Sequence, residues 1–299
     1  MKIISFDGGG IRGILTIQIL KRIIQKYPDF LKTIDLFAGT STGGLIALTL
    51  AGGKDIGSIF DLYHDTGKYI FDPRRFGWEG ILTCRYNNEK YKTLLEVIFG
   101  RHATLGDLKK KVLIPTFDLD GSTSRDETKK RWKAKFFNNI SPTDPDCLEL
   151  VINIALYTSA APTYFPSVDG FVDGGVVCNN PSACTVHQLI SDRPSCHYKL
   201  EDIKLLSIGT GGKLDYLRIL NRNWGAIKWS GYLLDILFDG LTDVADFQCQ
   251  SMLDDRYHRI EPLCKNFPAM DDWKKADEFV RIANEVDLTK TFDWIEKTW

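Results

Sequence analysis

Short apolar runs that stop at turn-forming residues alternate along this chain with longer segments whose apolar positions repeat at helical spacing. Residues 2–6, 34–38, 112–117, 133–137, 168–172 and 204–208 read as strands, being brief and rich in Ile, Leu, Val and Phe. Residues 14–27, 89–99 and 147–160 read as helices. Strand and helix in alternation predict an α/β fold, and the right-handed crossover rule makes its sheet largely parallel. The charged stretch 121–131 reads as a solvated hairpin tip. Residues 224–244 are dense in Trp, Leu, Ile and Phe and are expected to form a helix covering the core rather than a membrane anchor; 273–299 predict one or two amphipathic helices.

Three junctions in this pattern carry chemistry. Gly39-Thr40-Ser41-Thr42-Gly43 joins a strand to a helix and has the form of a nucleophile elbow. Its flanking glycines allow a sharp turn, and Ser41 is left exposed at the strand end as a candidate nucleophile. Asp7-Gly8-Gly9-Gly10-Ile11-Arg12-Gly13 joins the first strand to the first helix. Consecutive glycines leave several amide N–H groups unobstructed at a helix start, where the dipole favours an anion, and Arg12 adds a positive charge. Phe171-Val172-Asp173-Gly174-Gly175 ends an apolar run on a carboxylate, and Asn180 and Pro181 are suited to open the helix that follows.

In this order the three motifs closely resemble the patatin-like phospholipases. Residues 158–166 and 207–211 are also similar to that family, so the likeness runs from Lys2 to about Gly211. The resemblance implies a three-layer α/β sandwich, with residues 1–211 as catalytic core and 212–299 as a helical C-terminal elaboration of the same domain. It implies a lipid acyl hydrolase cleaving carboxylic esters of phospholipids or lysophospholipids through a Ser-Asp dyad. Ser41 would attack the carbonyl and form an acyl-enzyme, with Asp173 as the base and no histidine between them. Gly8, Gly9, Gly10, Arg12 and Gly13 form the oxyanion-hole motif, with the amides of Gly9 and Gly10 as donors; Gly39, Thr42 and Gly43 frame the elbow, Thr42 as a further donor. Gly174 and Gly175 complete the aspartate motif. The family also implies calcium-independent hydrolysis with no cofactor. One chemical difficulty follows, because an unperturbed aspartate near ~3.9 is a weaker base than a histidine near ~6.5.

Other readings compete. Gly8-x-Gly10-x-x-Gly13 fits a dinucleotide fingerprint, and a nucleotide- or phosphate-binding module is one alternative. That fingerprint expects an acidic residue at the end of the second strand. Here Asp29 falls in the connection and Asp35 at the strand's start. An acyltransferase on a related fold is another alternative. A histidine-mediated triad would draw on His187, His197 or His258, none of which sits in a convincing motif; with His64 and His102 they read as structural. Asp118 and Asp120 lack the spacing of a calcium loop and read as a turn.

Composition narrows the setting. A net charge of −1 over 299 residues gives no pull toward nucleic acid, which is not expected as a partner. Seven scattered cysteines suggest reduced thiols, and a chain that opens straight into a core strand is not expected to carry a signal peptide. A cytoplasmic protein in transient contact with membrane surfaces is the expectation. For that contact, residues 71–82 mix Phe76 and Trp78 with Arg74, Arg75 and glycines, and read either as a flap touching lipid or as a packed loop.

Overall fold

A computed structural model describes residues 1–71, 83–124, 126–191, 198–214, 223–230 and 232–299. The stretch 72–82, with Phe76 and Trp78, lies outside the described residues, as do Cys196 and His197. The elements run β1 (Lys2–Phe6), α1 (Gly13–Lys26), β2 (Leu36–Gly39), α2 (Thr42–Ala51), α3 (Ile56–Ile70), α4 (Asn88–Phe99), β3 (Lys111–Asp118), β4 (Lys133–Asn138), α5 (Val151–Thr158), β5 (Phe171–Asp173), α6 (Gly175–Cys178), α7 (Ser182–Ile190), β6 (Lys204–Ile208), β7 (Gly212–Lys213), α8 (Ala226–Trp229), α9 (Leu233–Leu253), β8 (Tyr257–Ile260), β9 (Leu263–Cys264), α10 (Ala276–Glu285) and α11 (Thr289–Thr298).

The main sheet has the order β4-β3-β2-β1-β6-β8, with β5 also paired to β3. Strands β3, β2, β1, β6 and β8 are mutually parallel, whereas β4 and β5 run antiparallel to β3. Helices cover both faces, so β1, β2 and β6 are buried almost throughout and show no polar alternation. All ten residues of α2 are buried, as befits a helix that is apolar around its whole circumference.

The placement of the site follows from how β3 is shared. β4 occupies one edge of β3 from Leu113 to Asp118. The other edge is divided: β2 pairs with Lys111 to Leu113, and β5 pairs with Thr116 to Asp118. These two strands run toward each other and stop short of contact. The end of β2 leads to Ser41 and the end of β5 is Asp173, so the two motifs meet over the gap at Ile114 and Pro115. Pro115 has no N–H to satisfy there, and its carbonyl accepts the Thr158 hydroxyl at 2.7 Å.

Several expectations shift. The helix read over 147–160 is confined to Val151–Thr158, because Asp144 caps a separate short turn over Pro145–Leu148. The strand read over 168–172 begins only at Phe171, since 168–170 form a tight turn closed by reciprocal backbone bonds between Val168 and Phe171. Asp118 does close a turn, accepting the amides of Gly121, Ser122 and Thr123 at 2.8–3.2 Å. Beyond residue 211 the chain is helical in α8 to α11 but also contributes β8, which extends the main sheet beside β6. His258 and Arg259 disguise that strand in the sequence.

Residues 224–244 divide between α8 and the first half of α9, whose inner side meets the protein through Phe238 and Thr242 while much of the rest is apolar yet exposed. Trp229, Tyr232, Leu233, Ile236, Leu237 and Val244 are exposed, and α9 buries only Ala245, Cys249 and Leu253 fully. No helix among the described residues is long and apolar enough to cross a membrane.

Candidate active site

Ser41 caps α2 with φ 54° and ψ −121°, a conformation that costs a non-glycine residue about 1–3 kcal/mol and is held by its surroundings. Its amide donates to the Thr158 hydroxyl at 3.0 Å, and the neighbouring Thr40 hydroxyl donates to the Cys178 carbonyl at 2.6 Å. Side chains at the flanking glycines would break this turn. A Cβ at Gly39 would lie 2.0 Å from the Gly43 carbonyl oxygen, and one at Gly43 would lie 2.2 Å from that of Phe6. The elbow is therefore squeezed between β1 and the start of α2.

Asp173 is 2% exposed, lines the same pocket as Ser41, and its carboxylate accepts the Gly175 amide at 2.7 Å. Burial raises its pKa to about 7, against the opposing pull of Ser41 and of that amide. The carboxylate whose ordinary basicity falls short of a histidine is thus shifted toward the histidine range by desolvation. The described histidines stand apart. His64 meets Asp65 and Asp277, His187 meets the Ala183 carbonyl, and His258 meets Thr291 while stacking on Trp294. None of them lines the pocket around Ser41.

The glycine run divides its amides. Gly8 donates to the Asn179 carbonyl at 3.1 Å, Ile11 to the Met270 carbonyl at 2.8 Å and Arg12 to the Gly9 carbonyl at 3.2 Å. Gly9 and Gly10 line the pocket beside Ser41 and Thr42. Gly10 adopts φ +59°, and a Cβ there would lie 2.2 Å from the Met270 carbonyl oxygen, so the turn demands glycine. The Arg12 guanidinium lies over the Phe267 ring at 5.0 Å and donates to the Pro268 carbonyl, so it braces the turn from outside the pocket wall. Burial lowers its pKa, with Asp235 and Asp239 pulling the other way. Gly13 begins α1 against the Thr42 side chain, and Gly174 packs on the Pro115 carbonyl.

Ser41 and Asp173 open onto a narrow pocket with a cavity volume of about 70 Å³. Its walls are mostly apolar, and one side is α4, whose Tyr91, Leu94, Leu95 and Ile98 follow the i, i+3, i+4, i+7 spacing of a single helix face. That spacing is legible in the sequence as a buried stripe, but nothing in it distinguishes a pocket wall from core. Phe238, Met270 and Asn179 also line the pocket, and no motif announces them. Asn179 is fixed by donating its side-chain amide to the Thr242 hydroxyl of α9 at 3.1 Å. Among the described residues no three His, Cys, Asp or Glu side chains converge as metal ligands.

Comparison with known proteins adds to this geometry. The patatin-like phospholipase family matches residues 4–183 as a sequence model. Protein teg of Priestia megaterium is 28% identical, aligned over 100% of this chain and 98% of its own. A cGAMP-activated phospholipase of Escherichia coli is 33% identical over 78% of this chain and 67% of its own. Patatin-like protein 1 of Oryza sativa subsp. indica is 28% identical over 87% of this chain and 73% of its own.

Proposed function

The chain belongs to the patatin-like phospholipase family, and from that premise we propose that it hydrolyses carboxylic esters of phospholipids or lysophospholipids by a Ser41–Asp173 dyad. The observation that carries this reading is that Ser41 and the buried Asp173 carboxylate line the same apolar pocket, Ser41 at the strained turn from β2 into α2. A serine hydroxyl becomes a useful nucleophile only when a positioned base takes its proton. Asp173, with its pKa near 7, is matched to that task around neutral pH.

In the reaction as drawn, Ser41 Oγ attacks the ester carbonyl while Asp173 takes its proton. The oxyanion forms against the amides of Gly9 and Gly10, joined by that of Thr42 at the start of α2. Collapse of the tetrahedral species breaks the ester C–O bond, and Asp173 returns the proton to the departing alcohol. Water then enters, Asp173 removes its proton as the water oxygen attacks the acyl carbon, and collapse breaks the Ser41 Oγ–acyl bond, the proton passing from Asp173 to Oγ as the fatty acid leaves. The apolar pocket supplies binding for the acyl chain, at about 0.8 kcal/mol for each methylene buried.

A fluorophosphonate probe together with lipid product analysis tests the reading. The protein should be labelled at Ser41 and release fatty acid from a mixed phospholipid extract, and Ser41→Ala should do neither. Undiminished fatty-acid release by folded Ser41→Ala would overturn it.

A further inference from the structure

Over most of the surface, large exposed apolar side chains occur singly, as they do on most proteins. On α9 they are aligned. Leu233, Ile236, Leu237, Val244 and Phe247 are between 45% and 73% exposed. Their steps of 3, 4, 11 and 14 from Leu233 place them on one helix face, a stripe ~21 Å long at ~1.5 Å per residue. Gly240 falls on the same face, so no charge interrupts it. At its N-terminal end the stripe continues into Trp229 and Tyr232, where Trp224 stacks on Tyr232 and meets Trp229 edge-on, each with centroids 5.5 Å apart.

The opposite side of α9 belongs to the protein. Ala245, Cys249 and Leu253 are buried in the core beside β6 and β8, Thr242 holds Asn179, and Phe238 forms part of the pocket wall with Asp173. One helix, ~10–12 Å across, therefore separates the pocket from the outward stripe.

Two features select what covers it. Tryptophan and tyrosine at the end of an apolar helix face suit the boundary between head groups and acyl chains, where an amphipathic ring is wetted at one end. α9 carries no Lys or Arg, and exposed Asp243 borders the stripe, whereas Asp235 and Asp239 lie further round toward Arg12. That charge would repel an anionic surface and attract the ammonium groups of choline or ethanolamine lipids. Resting on the hydrolase reading, we propose that this face of α8 and α9 docks on a zwitterionic phospholipid surface and brings the pocket to its substrate.

The test combines Ile236→Ser with Phe247→Ser, two exposed positions outside the pocket, after circular dichroism has confirmed the fold. In a Ser41→Ala background, which leaves vesicles intact, the pair should reduce cosedimentation with phosphatidylcholine vesicles at least ~10-fold. With Ser41 present, the pair should turn over a short soluble ester within about twofold of the parent. Vesicle binding unchanged by the pair would overturn the proposal. So would tighter binding to phosphatidylglycerol than to phosphatidylcholine vesicles, or a parent dimer that the pair converts to monomer in light scattering, which would assign the stripe to a second copy. A parent that fails on the soluble ester strikes the hydrolase reading and leaves the vesicle comparison standing.

Discussion

Arg259 grips the carboxylate of Asp7 with both terminal nitrogens, Nη2 to Oδ2 at 2.7 Å and Nη1 to Oδ1 at 3.3 Å, and Asp7 is the residue from which the glycine turn departs. The two side chains are 10% and 3% exposed. Nη1 also donates to Ser207 at 2.7 Å and Nη2 to Glu261, so one guanidinium is shared by two carboxylates. Burial, with Asp7 nearby, raises Glu261 to about 7 against the pull of Arg259. Replacing Arg259 by Met strands a buried charge, which typically costs about 3–5 kcal/mol. Urea unfolding should register that loss, and adding Asp7→Asn to the variant should recover about half of it. A loss under ~1 kcal/mol would show that the pair does not anchor the turn.

Ser41→Ala should abolish ester hydrolysis without weakening the fold. The substitution removes one small hydroxyl and keeps the backbone bond to Thr158. Steady-state kinetics on a chromogenic ester should fall by at least ~10³-fold, the scale of losing a covalent route. The same position should stop reacting with a fluorophosphonate.

Asp173→Asn separates activity from stability. The carboxylate is buried and its folded pKa is raised to about 7, so between the unfolded value near ~3.9 and that value the folded chain holds a proton the unfolded chain has released. Stability from this group is therefore full below about pH 4 and is lost as pH rises through 7. The neutral amide escapes that loss. Asp173→Asn should match the parent at pH 4 and exceed it at pH 8, by on the order of 2–4 kcal/mol, while losing hydrolysis as fully as Ser41→Ala. The parent's kcat/KM should climb with pH to a plateau above about 7. Chemical denaturation at the two pH values and a pH–rate profile check both arms. By contrast, His187→Gln and His258→Gln should keep turnover within a fewfold, since neither ring lines the pocket.

The α4 wall should set chain length. Leu94 is half-buried and lines the pocket, so Leu94→Trp narrows the groove without filling the core. The ratio of kcat/KM for a long-chain over a short-chain ester should fall ~10-fold or more, which is the loss of two methylenes' burial. An unchanged ratio would place the acyl chain elsewhere.

Much of this arrangement is legible in the sequence because strand ends and glycine motifs are local signals. The strands at Lys2–Phe6 and Lys204–Ile208 are read to the residue, since a strand buried on both faces is a short, mostly apolar run without polar alternation. β8 escapes the reading for the opposite reason. Arg259 and His258 look like surface residues until Asp7 and Thr291 arrive from distant parts of the chain to pair them. The antiparallel direction of β5 is equally hidden, as three residues carry no directional signal. Met270 and Phe238 reach the pocket by tertiary packing alone. Apolar spacing over 224–244 announces a helix but misses its bounds, since α9 runs Leu233–Leu253 behind the short α8, and spacing cannot say whether the stripe faces protein or solvent.

The strand that contributes no reacting atom is the one that meters the chemistry. Only Ile114 and Pro115 separate the stretch of β3 paired to β2 from the stretch paired to β5. That interval is a ruler two residues long. One residue added or removed there would slide Asp173 by ~3.3 Å relative to Ser41 and turn alternate side chains to the other face of the sheet. No rotamer of serine or aspartate could absorb both changes, so a volume-conserving replacement of buried Ile114 should be tolerated where a change of length is not.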